Sequence, residues 1–493
     1  MTEKREEQSP EPGKKTRAER KKRCGRGNRR EVFLTGGFFA TLFLVMVGYL
    51  AYFTATREEE MINNSYNSRQ EILLSRNFRG GIYDRNGETL AQTVVDEEQT
   101  EKRVYPYEEL FSHIVGYSCR GRMGVEALAN YYLIRTSTSL ANKAANDIAG
   151  VKNPGDNVYT TLDVALQQVA DSQLDIYRGA VVVTEVKTGK LLAMVSHPDF
   201  DPNKINEIWD SLIENENSSV LLNRAVQGLY PPGSTFKIVT ALEYIKENPE
   251  TYNDYSYQCS GSFQSGGNRI RCYHGTNHGR VDFVSSFAKS CNASFANIGM
   301  ELDRERFGET LEKLLFDEPL PIMLPYAKSS ISVTESDAEM MQTSIGQGKT
   351  QITPMHLNMI TSAIANEGIL MRPYVVDHVE NDMGDLVKEF KPDAYGRLMS
   401  IEEAAVLKGL MTAVVEGGTA KSLSGRNYTA AGKTGSAEYN NVKGDSHAWF
   451  TGFAPADDPE ICVTIIVEGA GSGGDYAVPI ARRIFDTWFR DKE

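Results

Sequence analysis

The chain has 493 residues, of which 41% are hydrophobic and 24% are charged, and its formal net charge at pH 7 is −13. This length and composition exclude a disordered or fibrous protein and leave room for two or three globular domains. The first thirty residues are rich in Lys and Arg whereas the remainder is acidic, which argues against nucleic acid as a partner.

The first predicted element is a single membrane-spanning helix at residues 32–54. The stretch from Val32 to Thr54 contains no charged residue, and about 20 apolar residues are enough to cross the hydrocarbon core of a bilayer. Basic residues precede it and Glu58-Glu59-Glu60 follows it. The positive-inside rule therefore predicts that the basic tail, residues 1–31, is cytoplasmic and that the residues after the helix are extracytoplasmic. The protein is thus expected in the cell membrane. A cleaved signal peptide is the alternative, but its apolar core would be shorter.

The next region, residues 55–150, is predicted to be a small separate domain. Ile82-Tyr83 and Leu90-Ala91 flank an Asn86-Gly87 pair, which is a strong signal for a β-hairpin. Residues 92–150 continue as a modest α+β region. The run from Gly150 to Asp156 is rich in turn-forming residues and predicts a boundary there.

Residues 151–493 are predicted to form a larger α+β domain. A helix is expected to start at Thr161-Leu162-Asp163, because Asp163 is a suitable residue for a first turn. Short apolar runs predict strands, and longer periodic stretches predict helices. The expected strands lie at 179–184, 190–195, 448–454 and 461–467, and the expected helices lie around 235–247, 282–300, 336–367 and 477–488.

Ser234-Thr235-Phe236-Lys237 is the first group of residues with a chemical signature. Pro231, Pro232 and Gly233 precede it, so Ser234 is expected near a helix start with Lys237 one turn later on the same face. A lysine held close and partly desolvated can take the proton of a serine hydroxyl and make it a nucleophile. A serine and a lysine at this spacing also occur by chance, so this tetrapeptide by itself does not distinguish an active site from an ordinary capped helix.

Two further groups follow in chain order, Ser290-Cys291-Asn292 and Lys433-Thr434-Gly435-Ser436. A nucleophile on a helix, a polar loop and a glycine-containing strand can meet in one cleft. Gly435 would let a substrate backbone lie close to the strand, Lys433 would supply positive charge for a carboxylate, and Ser436 can offer a backbone N–H to an oxyanion. Chance is a poor explanation of all three groups in this order.

The ordered set Ser-x-x-Lys, Ser-x-Asn and Lys-Thr-Gly resembles that of penicillin-binding proteins and serine β-lactamases. Over almost all of its length the sequence resembles the class B penicillin-binding proteins, which are monofunctional peptidoglycan D,D-transpeptidases, and among them the compact penicillin-binding protein A type. Other stretches that match the family are Arg79 to Ala91, Asn203, Asn223-Arg224-Ala225, Gly346-Gln347-Gly348, Thr353-Pro354 and Gly417 to Ala420.

The resemblance implies an α+β fold with a transmembrane helix, a pedestal of the dimerisation type at residues 55–150, and a transpeptidase domain at residues 151–493. That domain would have an antiparallel sheet covered by helices on both sides, as in serine β-lactamases. No cofactor and no metal is implied for the reaction. The implied partners are peptidoglycan stem peptides, β-lactam antibiotics, the membrane and a polytopic glycan-polymerising membrane protein.

The resemblance also implies a role for each residue of the three groups. Ser234 would attack the D-Ala-D-Ala carbonyl of a stem peptide, with Lys237 as its base. Ser290 and Asn292 would relay protons and position the substrate. Lys433 and Thr434 would hold the terminal carboxylate beside Gly435, and the backbone N–H groups of Ser234 and Ser436 would form the oxyanion hole.

Three other functions are compatible with parts of the pattern. A β-lactamase is disfavoured by Asn292 and by the length of the chain. A D,D-carboxypeptidase would share the acylation chemistry, but the N-terminal anchor and the stretch at Arg79 favour the transpeptidase. A catalytically silent scaffold for wall synthesis is disfavoured by the intact motifs.

The cysteines leave three interpretations open. Cys259 and Cys272 flank a polar segment near His278 and Cys291, and a disulfide between the first two is compatible with an extracytoplasmic site. The same four residues are also a usable ligand set for a tetrahedral zinc ion. Free thiols are the third interpretation. Cys259 and Cys272 are expected to lie close together in each case.

Overall fold

The computed structural model describes residues 17–63, 69–96, 100–215, 218–333, 336–438 and 445–490, and in the first helix it describes the side chains from Arg29 to Phe53 only. That helix, α1 (Arg17–Asn63), is longer than the predicted membrane segment, because Lys, Arg and Glu on either side also favour helix. Its stretch Arg29–Phe53 is long and apolar enough to cross a membrane, and none of the residues in this stretch is buried. Part of the predicted basic tail, residues 1–16, lies outside the described residues.

The region after α1 contains the predicted hairpin. Asp84 is completely buried in its turn and accepts hydrogen bonds from the N–H groups of Asn86 at 2.7 Å and Glu88 at 2.8 Å. The hairpin is therefore confirmed, with Ile82 paired to Ala91. The elements of this region are α2 (Arg69–Arg76), β1 (Ile82–Tyr83), β2 (Thr89–Val95), β3 (Glu101–Val104), α3 (Gly124–Leu128), α4 (Asn130–Ile134), α5 (Leu140–Ala149) and β4 (Asn157–Thr160).

Arg79, which opens the family-like stretch, has a structural role in this region. Its guanidinium donates to Glu126 Oε2 at 2.6 Å and to Asn130 Oδ1 at 2.7 Å. Arg103 donates to the other oxygen of Glu126 at 2.7 Å. Because Glu126 is completely buried, these charge-assisted hydrogen bonds offset the cost of removing its carboxylate from water.

The larger region begins at α6 (Val164–Leu174), close to the predicted start, and Asp163 is not in its first turn but precedes it as the N-cap, accepting from the N–H of Leu166. Its first half contains β5 (Gly179–Glu185), β6 (Leu191–His197), α7 (Ile205–Glu214), α8 (Arg224–Gln227), α9 (Lys237–Glu247), β7 (Ser256–Cys259), β8 (Ser262–Ser265), β9 (Asn268–Arg271), β10 (Gly279–Asp282), α10 (Phe283–Ala288), α11 (Asn292–Glu301) and α12 (Arg304–Lys313).

Its second half contains α13 (Asp337–Thr343), α14 (Pro354–Ala365), β11 (Ile369–Met371), β12 (Val376–Glu380), β13 (Leu386–Glu389), β14 (Ala394–Arg397), α15 (Ile401–Glu416), β15 (Ala431–Glu438), β16 (Ser446–Ala454), β17 (Ile461–Val467) and α16 (Ala477–Trp488). Two of the predicted helices are interrupted. The 282–300 helix divides at Ser290, and the 336–367 helix divides in the segment that contains Gly346 and Gly348. Positive φ angles at these three residues are incompatible with a continuing right-handed helix.

The centre of the larger region is a five-stranded antiparallel sheet in the order β15-β16-β17-β5-β6. On one face, Asn358 and Thr361 of α14 hydrogen-bond to threonines of the sheet, and α6 and α16 cover the other face. Because both faces are covered, every residue of β16 and β17 is buried. The predicted α+β fold class, with helices on both sides of an antiparallel sheet, is confirmed.

A second, six-stranded sheet has the order β13-β12-β4-β1-β2-β3. Strands β12 and β13 come from residues 376–389, more than two hundred residues after β4 in the chain. The sheet thus joins segments on both sides of the predicted boundary at residue 150. That boundary, and the one at residue 55, stay predictions.

Candidate active site

Ser234 lies in a tight helical turn, Gly233–Phe236, that runs directly into α9 at Lys237. Ser234 is half-buried, whereas Lys237 is completely buried. Gly233 has a φ of +54°, and a Cβ at this position would lie 2.9 Å from the carbonyl oxygen of Ser436. Glycine is therefore required where this turn packs against β15.

The Gly346 segment packs against the same turn. The N–H of Gly233 donates to the carbonyl oxygen of Gly346 at 2.8 Å. A Cβ on Gly346 would lie 2.1 Å from the carbonyl oxygen of Gly233, and the φ of Gly346 is +72°. This contact gives a physical reason for the glycine in the Gly346-Gln347-Gly348 stretch.

Ser290 lies in the short loop between α10 and α11, and Asn292 is the first residue of α11. Ser290 has a φ of +54°, which is uncommon for a residue with a side chain. Its N–H donates to Phe287 at 3.0 Å, and the N–H of Cys291 donates to Ser286 at 2.9 Å. The Cys291 sulfur accepts from the N–H of Ser294 as the N-cap of α11. These bonds hold the loop so that the Ser290 and Asn292 side chains reach Lys237.

Among the described residues, Lys237 Nζ makes three side-chain hydrogen bonds, all to Ser290 and Asn292. Its Nζ donates to the Ser290 carbonyl oxygen at 2.7 Å, to Ser290 Oγ at 3.2 Å and to Asn292 Oδ1 at 2.6 Å. Burial lowers the pKa of Lys237 to about 7, although the nearby Cys291 and Cys272 act in the opposite direction. A substantial fraction of this amine is therefore neutral, and able to accept a proton, near pH 7.

Lys433 reaches the same serine from β15. Its Nζ donates to Ser290 Oγ at 3.0 Å and to the carbonyl oxygen of Thr434 at 3.0 Å. Burial, and secondarily the charge of Lys237, hold the pKa of Lys433 well below its ordinary value. The Ser290 hydroxyl thus connects two buried amines, which lie near the rings of Phe295 and Phe287 at 5.5 Å and 5.6 Å.

Lys433, Thr434, Gly435 and Ser436 all lie on β15, which is an edge strand of the five-stranded sheet. An edge strand can pair with an extended peptide through main-chain hydrogen bonds. The three groups of residues found in the sequence therefore surround one location, since Lys237 and Lys433 share Ser290 and Gly233 packs against Ser436.

Several supporting residues of the site were not assigned from the sequence. Thr419 Oγ1 lies 2.5 Å from Thr434 Oγ1, and the hydrogen bond between them fixes the Thr434 side chain. Glu468 accepts from Tyr230 and from buried Arg224, both at 2.7 Å, and so holds the chain before Ser234. The family-like stretches Gly417 to Ala420 and Asn223-Arg224-Ala225 contain Thr419 and Arg224, so the sequence pointed to these two residues. Nothing local in the sequence singles out Glu468.

Four side chains beside the Ser290 loop form a sulfur-rich cluster. Cys272 Sγ lies 3.7 Å from both Cys259 Sγ and Cys291 Sγ, and Cys259 Sγ lies 3.5 Å from His278 Nδ1. The expected closeness of Cys259 and Cys272 is confirmed, and no disulfide joins their sulfurs. Cys462 is completely buried and Cys119 is half-buried, while the side chain of Cys24 lies outside those described.

Family models match two parts of the chain. Residues 179–486 match the penicillin binding protein transpeptidase domain, and residues 79–158 match the penicillin binding protein A dimerisation domain. The peptidoglycan D,D-transpeptidase PbpA of Mycolicibacterium smegmatis is 30% identical over 442 residues, which cover 84% of this chain and 90% of that protein.

Solved structures show the same likeness. The D,D-transpeptidase domain of a peptidoglycan glycosyltransferase from Eggerthella lenta has a TM-score of 0.76 at 29% identity, covering 85% of this chain and 99% of its own. The penicillin G acyl-enzyme complex of penicillin-binding protein A from M. tuberculosis has a TM-score of 0.76 at 28% identity. That comparison covers 84% of this chain and 100% of the solved one.

Proposed function

Because the chain belongs to the penicillin-binding protein transpeptidase family and is a peptidoglycan D,D-transpeptidase, we propose that Ser234 is its nucleophile and that catalysis proceeds through an acyl-enzyme on Ser234. The observation that carries this proposal is the bonding around Ser290 Oγ. Two buried lysine amines donate to this one hydroxyl, and one of the lysines begins the helix that follows the Ser234 turn.

In the proposed first step, Ser234 Oγ attacks the carbonyl carbon of the penultimate D-Ala of a stem peptide, and its proton passes to the neutral amine of Lys237. The new bond is the Oγ–C ester bond, and the peptide C–N bond breaks. The terminal D-Ala leaves as an amine after it takes up a proton through Ser290. In the second step an amine of a neighbouring stem peptide attacks the ester, and Ser234 is released with its proton restored.

The other residues are proposed to position the substrate. Asn292 Oδ1 holds Lys237, and Thr434 and Lys433 are proposed to receive the terminal carboxylate. A Cβ on Gly435 would lie 3.1 Å from the Pro232 carbonyl oxygen and 3.1 Å from the Thr235 side chain, so glycine at this position lets β15 pack closely on the Ser234 turn. The close packing of the Ser234 turn on Ser436 supports an oxyanion hole made by the backbone N–H groups of Ser234 and Ser436. Such donors stabilise the developing negative charge effectively because they are already oriented before the reaction.

The proposal predicts that penicillin G acylates the full-length, detergent-solubilised chain once. Intact mass should rise by the mass of one whole antibiotic, and peptide mapping should place the addition on Ser234. A heat-unfolded sample is the matched control and should remain unmodified. Acylation that maps to another serine would contradict the proposal.

The same material distinguishes the alternative functions. A β-lactamase would hydrolyse penicillin and return to its unmodified mass, and a silent scaffold would never be acylated. With stem peptides that contain donor and acceptor groups, a transpeptidase should form a cross-linked dimer together with free D-Ala. Release of D-Ala without any dimer would favour a D,D-carboxypeptidase.

We also propose that α1 anchors the chain with its N-terminus in the cytoplasm and the region after α1 outside. The apolar stretch Arg29–Phe53 and the basic residues before it support this topology. Protease added to wall-stripped cells should digest the region from residue 69 onward, and its survival would refute the topology. The glycan-polymerising partner stays a prediction, which co-purification with the full-length chain from membranes would test.

A further inference from the structure

The sulfur-rich cluster gathers ligand atoms from several elements within residues 259–291. Cys259 ends β7, Cys272 follows β9, His278 precedes β10, and Cys291 is the N-cap of α11. Their four ligand atoms all lie within 4.8 Å of one another. We propose that Cys259, Cys272, His278 and Cys291 bind one zinc ion, and that this ion holds the Ser290–Asn292 loop in its place beside Lys237.

The distances between the donor atoms fit a tetrahedral zinc ion. With Zn–S of about 2.3 Å and Zn–N of about 2.05 Å, a tetrahedron places two sulfurs about 3.8 Å apart and a sulfur and a nitrogen about 3.6 Å apart. Of the six donor pairs in the cluster, two sulfur–sulfur pairs are at 3.7 Å and one sulfur–nitrogen pair is at 3.5 Å, and the remaining three pairs are within 4.8 Å. A single ion at the centre can therefore reach all four atoms with little movement of the side chains.

Main-chain hydrogen bonds orient the three sulfurs. Each of the three sulfurs accepts a backbone N–H: from Gly261 to Cys259 at 3.3 Å, from Ala293 to Cys272 at 3.5 Å and from Ser294 to Cys291 at 3.4 Å. Such hydrogen bonds stabilise the negative charge of metal-bound sulfur and orient the ligands. On binding, the three thiols release their protons, and zinc forms three bonds to sulfur and one to the imidazole nitrogen without any change of oxidation state.

A zinc ion explains the whole cluster better than a disulfide does. Cys272 is equally distant from Cys259 and Cys291, so a bridge to either one leaves an equivalent thiol and the imidazole unused. Three of the four ligands are buried and His278 is half-buried, as in closed structural sites that have no open coordination position for a substrate.

The strands β7 to β10 also need an additional constraint. They form two-stranded sheets, and the hydrophobic cluster beneath them consists of Cys259, Cys272, Cys291 and Ala293, with Tyr257 and Phe263 packed against it. Small units with so few apolar residues depend on disulfides or metals for stability. Zinc would connect these strands to α11.

The connection to the active site passes through two residues. Cys291 lies between Ser290 and Asn292 in the chain, and Asn292 Nδ2 donates to the carbonyl oxygen of Arg271, next to Cys272, at 3.0 Å. Ser290 and Asn292, the two hydrogen-bond partners of Lys237, are therefore each connected directly to a proposed zinc ligand. This positioning role rests on the proposed function, whereas zinc binding itself does not.

Metal analysis tests the binding. The full-length chain is purified without chelator, and its zinc content is measured by inductively coupled plasma mass spectrometry. We expect one zinc per chain for the wild type and for the matched control Cys119→Ser, and less than about a tenth of that for Cys272→Ser. Replacement of zinc by cobalt should give the visible absorption of a tetrahedral cobalt–thiolate site, and His278→Asp should shift that spectrum. Because His278→Asp keeps a metal-binding side chain at position 278, it still tests the zinc site if Cys272→Ser does not fold.

A metal-free wild type, whether its thiols are free or joined in a Cys259–Cys272 disulfide, would overturn the zinc site. For the positioning role, removal of zinc by a chelator should slow penicillin acylation about 10- to 100-fold, because a misplaced catalytic group costs this much, and added zinc should restore the rate. An unchanged rate in zinc-free protein would refute the positioning role. Ser234→Ala should retain its zinc, so failure of the nucleophile assignment is distinguishable from failure of the metal site.

Discussion

Ser234→Ala is expected to abolish covalent labelling by penicillin while the protein still unfolds cooperatively. The hydroxyl removed is the proposed attacking atom, and no neighbouring group can form the same ester from the same position. Ser234 is only half-buried, and its side chain makes no hydrogen bond to the described residues, so its truncation should change the free energy of unfolding by less than about 0.5 kcal/mol.

Gel fluorescence with a labelled penicillin and a thermal unfolding scan measure the two halves of this expectation. Ser422→Ala is a matched control, because Ser422 is exposed and lies in a short helical turn at Lys421–Leu423. It should label like the wild type. Full labelling of a well-folded Ser234→Ala protein would show that another residue is the nucleophile.

Lys237→Met is expected to slow acylation by about 10²- to 10⁴-fold, the usual cost of a lost general base. Methionine is preferred to alanine here because Lys237 is completely buried, and methionine fills most of the volume of its aliphatic stem. Lys313→Met is the control, since Lys313 is an exposed residue at the end of α12. An acylation rate in Lys237→Met equal to that of the wild type would eliminate Lys237 as the base.

The pH dependence of acylation provides an independent measurement of the same role. Burial lowers the pKa of Lys237 to about 7. Below this pH the amine is an ammonium group and cannot take the proton of Ser234, and above it the amine is neutral and can. The acylation rate of the wild type should therefore rise with pH, with a midpoint at about 7, and the rise should be absent in Lys237→Met. A flat profile for the wild type would contradict the assignment.

The sequence by itself determined the features whose signals are local. An uncharged run long enough for a bilayer predicted the long apolar helix near the N-terminus, Asn86-Gly87 predicted the hairpin turn, and Asp163 predicted the start of α6. Apolar runs predicted β5, β6, β16 and β17, four strands of the five-stranded sheet, because strands buried on both faces need apolar residues throughout. The three ordered motifs identified the family, because the reaction requires particular residue types at particular spacings, and both can be read from the sequence.

Only the tertiary structure decided how these pieces meet. Lys433 and Ser290 are 143 residues apart in the chain, and no local pattern determines that Ser290 Oγ accepts hydrogen bonds from both Lys433 and Lys237. The same is true of β12, which completes a sheet with β4, and of Glu468, which holds Tyr230 before the Ser234 turn. The sequence left disulfide, zinc and free thiols open for Cys259, Cys272, His278 and Cys291, because residue type specifies which atoms can bind a metal, whereas the distances between those atoms depend on long-range packing.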